Sequence, residues 1–118
     1  MAAPYIRALT ADPALASVPS LTDYSDHSAS WEETEFPIAA GASTVAGRWT
    51  GEPGWVEFDA WPYREFCVIV SGRVVVESRD GSERHEYGPG DAFMIPPGFC
   101  GRWETVETTT KVFVGVHE

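Results

Sequence analysis

Closely spaced turn signals divide the sequence after Val45 into short segments, and this spacing constrains the fold more than any other feature. Apolar segments of about five or six residues, the usual strand length, alternate with turns rich in Gly, Pro and Asp. Asp80-Gly81 is a strong hairpin signal that joins residues 74–78 to 83–87, and Pro96-Pro97-Gly98 marks a second hard turn. About eight strands without a helix-period stretch predict an all-β fold, an antiparallel barrel or jelly roll with few exposed edges.

Further turns set the limits of the other predicted strands. Ser71-Gly72 is expected to turn the chain between strands 66–70 and 73–78, because Gly tolerates a positive φ. Residues rich in Val, Thr and aromatics predict additional strands at 45–50, 55–61, 92–95, 101–106 and 110–116.

Residues 1–44 have a different composition, with several Pro, Ser and Thr and little periodicity. We predict an irregular N-terminal arm over 1–44 that packs on the barrel of residues 45–118 or on a partner. Within the arm, Asp12 is expected to cap a brief helical turn that has Pro13 at its first position.

The charge balance limits the possible partners. Eighteen acidic residues against eight basic ones give a net charge of −10, which argues against nucleic acid because phosphates demand a basic surface. No apolar run approaches the ~18 residues of a membrane span, and Met1 to Thr10 lack a signal-peptide pattern, so we predict no membrane association and a cytoplasmic location. The densest acidic cluster, Glu32, Glu33 and Glu35, is predicted to be solvated surface.

The segment from Trp61 to Gly72 places unusual side chains together. In a strand, Trp61, Tyr63, Glu65 and Cys67 share one face because successive side chains alternate. Burying an unpaired carboxylate costs several kcal/mol, so Glu65 either faces solvent or anchors a pocket. We expect the second, and we expect the neighbouring Arg64 to point to the other face. With only two cysteines and no His near it in sequence, Cys67 is expected to be a small buried group.

Two stretches resemble the motifs of the cupin superfamily. Gly90 to Gly98 resembles the second cupin motif, G-x5-P-x-G, and Glu65 to Gly72 resembles the end of the first, E-x6-G. Gly88 to Trp103, with the closing Lys111-Val112-Phe113-Val114, is similar to the small cupin family related to the cupin domains of (S)-ureidoglycine aminohydrolase. The resemblance covers residues 45–116 and implies a cupin-type β-barrel, also called a double-stranded β-helix or RmlC-like jelly roll.

Cupins of the usual type bind a divalent metal through two His and a Glu in the first motif and a third His after the second. Counting from the motifs puts Asp59 and Trp61 at the first two positions and Gly101 at the last, so only Glu65 is retained. We therefore predict no metal cofactor. The alternative is an oxygen-only site in which Glu65 and Asp59 bind Mn²⁺ or another hard divalent metal.

In the cupin arrangement, the strand face that carries Glu65 and the side chain of Trp103 would point into the barrel. This predicts a ligand pocket with these residues: Asp59, Trp61, Tyr63, Glu65, Cys67 and Trp103. We interpret the chain as a binding protein for a small polar metabolite. If the chain also catalyses a reaction, we expect Glu65 to be the catalytic residue. The alternatives are a metal-dependent aminohydrolase resembling ureidoglycine aminohydrolase, and an accessory protein that reuses the barrel as an interface. Cupin relatives commonly pair their barrels, so a homodimer is expected.

Overall fold

A computed structural model describes residues 4–118, and nearly all of its regular structure is antiparallel β. The strands are β1 (Asp26–His27), β2 (Glu33–Gly41), β3 (Thr44–Gly51), β4 (Gly54–Phe58), β5 (Arg64–Ser78), β6 (Arg84–Tyr87), β7 (Ala92–Ile95) and β8 (Gly101–Val116). The prediction of an all-β cupin-type barrel is confirmed. Within residues 4–118, no helix is long and apolar enough to cross a membrane.

Strand β8 is the centre of the sheet. Its first half pairs with β4 and with the end of β5, and its second half pairs with β3 and with the start of β5. The sheet continues from β3 to β2 and from β4 to β1, while β6 and β7 pair with the other edge of β5. The predicted strands 101–106 and 110–116 are thus parts of one long strand that spans the barrel.

Strand β5 alternates as the sequence predicted. Glu65, Cys67 and Ile69 are buried, whereas Phe66 and Val68 are about half exposed. Its interior side chains join an aromatic and aliphatic core that includes tryptophans from three other parts of the chain: Trp31, Trp49 and Trp103. Inward and outward faces are therefore fixed by burial of one side of each strand.

Two turn predictions had different outcomes. The Asp80-Gly81 hairpin is confirmed, with Val74 opposite Tyr87 and Glu77 opposite Arg84. The prediction of a turn at Ser71-Gly72 is wrong, because β5 continues through these residues with shifts in its pairing to β8. Gly72 adopts a φ of 93°, which bends the strand without reversing it.

The N-terminal segment contributes more to the barrel than the sequence indicated. Pro13–Leu15 forms the predicted short turn, a 3₁₀ turn that the Asp12 side chain caps through the Ala14 amide. Strand β2, however, lies within the predicted arm and pairs with β3 over nearly its full length. The sheet therefore begins at Asp26, with β1, and not at Val45, and Pro37 is tolerated because β2 is an edge strand.

Candidate functional site

A cavity of about 230 Å³ lies inside the barrel where β2, β3, β5 and β8 face one another. Its wall contains six aromatic residues: Tyr24, Trp49, Phe58, Trp61, Tyr63 and Trp103. The charged residues of the wall are four acids and one base: Asp23, Glu33, Glu35, Glu65 and Lys111. The cavity thus combines aromatic surface with an excess of carboxylates.

A buried ion pair forms one side of this cavity. Glu65 on β5 is 3% exposed and Lys111 on β8 is 5% exposed. The Lys111 Nζ donates to Glu65 Oε2 at 2.6 Å, and the Cys67 Sγ donates to the same oxygen at 2.8 Å. The strand parity that turns Glu65 and Cys67 inward also turns Lys111 inward, so the pair follows directly from the pairing of β5 with β8.

Aromatic rings surround the Lys111 ammonium. Its Nζ lies 4.9 Å from the ring centre of Trp49 and 4.5 Å from that of Trp103, distances typical of cation–π interactions. Burial alone lowers the pKa of Lys111, but the charge and hydrogen bond of the Glu65 carboxylate act in the opposite direction and raise the pKa above its ordinary value. Lys111 is therefore a fixed cation at neutral pH and not a free amine nucleophile.

Glu33 on β2 carries a second set of buried hydrogen bonds. The Tyr24 hydroxyl donates to Oε2 at 2.6 Å, and the Trp49 indole donates to Oε1 at 2.9 Å. Burial raises the pKa of Glu33, although these two donors act in the opposite direction. Both oxygens thus have partners, and Glu33 holds Tyr24 and Trp49 in the cavity wall.

Glu35 lies on the same face of β2, two residues further along. Burial raises the pKa of its carboxyl, and the charge of Lys111 counteracts this only in part. Among residues 4–118, no side chain forms a hydrogen bond or ion pair with this carboxylate. The prediction that the Glu32–Glu35 cluster is solvated surface is therefore wrong for Glu33 and Glu35, since the inward face of β2 carries them, and holds for the exposed Glu32.

Trp61 closes the cavity from the loop between β4 and β5. Its backbone amide donates to the Phe99 carbonyl, and its carbonyl accepts from the Gly98 amide, each at 2.8 Å. The Pro96-Pro97-Gly98 turn thereby fixes the Trp61 ring, which packs edge-on against Phe58. The indole Nε1 is buried, and no atom of residues 4–118 accepts a hydrogen bond from it.

Tyr63 stands beside Trp61 in the cavity wall. Its ring lies over Gly115, where a Cβ would clash with it, and it contacts the ring of His117. Burial raises the pKa of Tyr63, and the nearby carboxylates of Glu65 and Glu35 raise it further. Tyr63 is thus a neutral phenol next to Glu65.

The structure brings together four of the six predicted pocket residues in the wall, namely Trp61, Tyr63, Glu65 and Trp103. Cys67 lies behind Glu65 and touches its carboxylate without lining the cavity, and burial raises the pKa of its thiol. Asp59 is outside: its side chain is 74% exposed and pairs with Arg79 at 2.9 Å. Strand β4 ends at Phe58, so the alternation that would turn Asp59 inward stops before it.

The residues at the cupin metal positions do not fit a metal ion. Asp59 points outward, and a side chain at Gly101 would clash with the carbonyl oxygen of Glu77. The remaining ligand position, Glu65, already accepts from the Lys111 ammonium, whose charge repels a cation. The three His lie elsewhere, and residues 4–118 contain no cluster of three metal-ligating side chains.

Comparisons with known proteins agree with this architecture. The family model described as the EutQ-like cupin domain matches residues 38–113, more than half of the chain. The chain belongs to the EutQ-like cupin family. This places it within the cupin superfamily, as the motifs in the sequence predicted.

Solved structures show the same cupin fold. The EutQ protein of Clostridium difficile superimposes with a TM-score of 0.67 over 83% of this chain and 79% of its own, at 13% identity. A cupin superfamily protein of Desulfitobacterium hafniense DCB-2 gives 0.61 over 74% and 79%, at 10% identity. A DUF861 family protein of Thermotoga maritima gives 0.53 over 58% and 75%, at 26% identity. No curated protein matches the sequence.

Proposed function

We propose that this EutQ-like cupin binds a small polar metabolite in the barrel cavity without a metal ion. The observation that supports it most is Trp61, a residue of the cavity wall whose buried indole Nε1 has no hydrogen-bond acceptor among residues 4–118. Leaving such a donor unpaired costs about 1–3 kcal/mol, and a ligand oxygen would remove this cost. Cavities that are mostly apolar with a few convergent polar groups are typical of small-molecule sites.

The buried ion pair supports binding in preference to chemistry. Lys111 and Cys67 both donate to one oxygen of Glu65, so this carboxylate has partners already and is poorly placed to act as a free base. We propose that Glu65, the predicted catalytic residue, instead fixes the charge and shape of the cavity wall. Trp61, Tyr63 and Trp103 supply the contact surface for the ligand.

The resemblance to the ureidoglycine aminohydrolase family suggests a metal-dependent hydrolase as the alternative. Its metal would have to use Glu65 and Asp59, and these two side chains point to opposite sides of the barrel wall. We therefore favour the metal-independent binding function.

A thermal-shift screen against small metabolites of positive, neutral and negative charge tests the proposal. We expect at least one compound to raise the melting temperature, because a ligand that binds only the folded state stabilises it. Trp61→Phe should weaken that compound about tenfold, the usual effect of losing one hydrogen bond to a buried donor. Trp55→Phe is the matched control, because Trp55 stacks under Arg102 outside the cavity.

Two results would contradict the proposal. One is the absence of a shift with every charge class. The other is a shift with MnCl₂ alone that Glu65→Gln abolishes, which would favour the metal-dependent alternative.

A further inference from the structure

We infer that the ligand of this cavity is a small organic cation whose ammonium group pairs with Glu35 and whose hydrogen-bond acceptor meets Trp61 Nε1. The inference rests on the proposed function and specifies the chemical class of the ligand. Three features of the cavity support the inference: the balance of charges in its wall, the hydrogen-bond partners of its carboxylates, and the aromatic residues of the wall.

The charges of the wall favour a cation. Four acidic side chains face one basic side chain, Lys111. Lys111 is committed to Glu65 at 2.6 Å, and the whole chain has a net charge of −10. A cationic ligand would therefore enter a region of negative potential, whereas an anionic ligand would meet repulsion on both the outer and the inner surface.

The hydrogen-bond partners identify which carboxylate is available. Glu65 accepts from Lys111 and Cys67, and Glu33 accepts from Tyr24 and Trp49. Glu35 and Asp23 lie in the same wall without such a donor among residues 4–118; Asp23 is exposed, so Glu35 is the partly buried carboxylate that is available. A partly buried carboxylate without a protein donor has lost part of its hydration, and an ammonium group that donates to it would form a charge-assisted hydrogen bond in its place.

The aromatic wall also suits a cation with an apolar body. Trp49 and Trp103 already stack around the Lys111 ammonium, but no Lys or Arg side chain of residues 4–118 lies over the rings of Phe58, Trp61 and Tyr63. Aromatic faces combined with carboxylates are a common way to bind organic ammonium ions. A cavity of about 230 Å³ is below the range of drug-sized pockets, so the ligand should have on the order of ten heavy atoms.

Four compounds of nearly equal size separate these features. Tyramine has an ammonium group and a phenol oxygen, phenethylamine keeps only the ammonium group, tyrosol replaces it with an alcohol, and 4-hydroxyphenylacetate replaces it with a carboxylate. Isothermal titration with the full chain gives the affinity for each. We expect tyramine to bind about tenfold more tightly than tyrosol, phenethylamine to lie between them, and 4-hydroxyphenylacetate not to bind.

Two variants assign the interaction to Glu35. Glu35→Gln should weaken tyramine about tenfold or more and leave tyrosol unchanged, since it removes charge but keeps shape. Glu32→Gln removes one negative charge from the exposed side of the same segment, and we expect it to change neither affinity. Circular dichroism checks that both variants fold.

The outcomes separate this inference from the proposed function. Equal or tighter binding of tyrosol or 4-hydroxyphenylacetate, or an unchanged tyramine affinity in Glu35→Gln, would overturn the cation assignment while the binding function stands. Absence of binding by all four compounds at millimolar concentration would also overturn it. The proposed function itself falls if the broader metabolite screen finds no ligand of any charge, or if MnCl₂ alone gives the shift that Glu65→Gln abolishes.

Discussion

Glu65 and Lys111 form a buried ion pair that sets the charge on one side of the barrel interior. Both side chains are nearly inaccessible, and their atoms approach to 2.6 Å. Removing one partner of such a pair leaves the other charge buried without compensation, which costs more than the pair contributes. In this protein both members of the pair also line the cavity, so the pair defines one side of the cavity wall.

We predict that Lys111→Met destabilises the fold by about 3–5 kcal/mol, because it leaves the Glu65 carboxylate buried and unpaired. Glu65→Gln should have a similar effect through the unpaired ammonium. The double variant Glu65→Gln/Lys111→Met should be clearly more stable than the sum of the single losses predicts, since no isolated charge remains. Urea unfolding followed by tryptophan fluorescence measures all three free energies of unfolding.

Arg64→Gln is the control, because the pair of Arg64 with Glu118 lies at the surface and its loss should change stability little. Additive effects of Glu65→Gln and Lys111→Met, or a Lys111→Met variant as stable as the parent, would show that the two groups are not coupled.

The sequence allowed Glu65 to be predicted at this site but not Lys111, and the reason is strand continuity. Counting by twos from Gly101 and Trp103 leads to Thr105, to the exposed Glu107 and then to Thr109, Lys111 and Phe113, and all of these except Glu107 are buried. A strand predicted to stop at 106 and restart at 110 conceals that parity. Arg64 does point outward to Glu118, as predicted, and the cation that stands beside Glu65 is Lys111 of β8.

Glu33 and Glu35 were missed for a different reason. A run of acidic residues normally indicates a solvated surface, and only the position of β2 against β3 shows that alternate members of the run face inward. Long-range pairing of this kind is not encoded in local composition. The motif-based prediction of the fold succeeded because turns are local, whereas half of the site depends on contacts between distant strands.

At the scale of the elements, the continuity of β5 through Gly72 is the feature that the turn signals did not predict. Ser71-Gly72 has the composition of a hairpin turn, yet β5 keeps pairing with β8 on both sides of it. The Arg73 amide donates to the Thr109 Oγ1 at 3.1 Å, which satisfies the backbone where the register shifts. A glycine is needed there for two reasons, its φ of 93° and the close approach of β8.

We predict that Gly72→Ala destabilises the protein by about 2–4 kcal/mol, the combined effect of a strained φ and a steric clash. A Cβ at this position would clash with Thr109 Oγ1 and with the Thr108 carbonyl oxygen. Gly81→Ala is a matched control, since Gly81 has a φ of 77° but no atom within 4 Å of the added methyl group. It should lose only about 1–2 kcal/mol.

Thermal and urea unfolding of the two variants give the comparison. Equal losses at Gly72 and Gly81 would mean that the close approach of β5 to Thr108 and Thr109 is not a constraint on the barrel.

At the scale of the whole molecule, one outer face of the barrel is apolar although the chain is strongly acidic. Phe66, Val68 and Val70 on β5 and Met94 on β7 are each 43–48% exposed. Phe66 pairs directly with Met94, so these side chains form one continuous patch. Apolar patches of this kind on soluble proteins mark interaction surfaces. In the N-terminal segment, Tyr5 and Ile6 are also exposed, at 73% and 98%.

We propose that this patch is the interface of the homodimer expected for a cupin, because two chains of charge −10 repel each other least where they meet through uncharged residues. Val68→Lys should convert the dimer to a monomer, since a two-fold axis would bring both lysines into the apolar interface. Val18→Lys, also at an exposed Val but away from β5, should leave the dimer intact. Sedimentation equilibrium at micromolar concentration measures the mass of each. A parent chain that is monomeric, or a Val68→Lys variant that stays dimeric, would show that this face is not the interface.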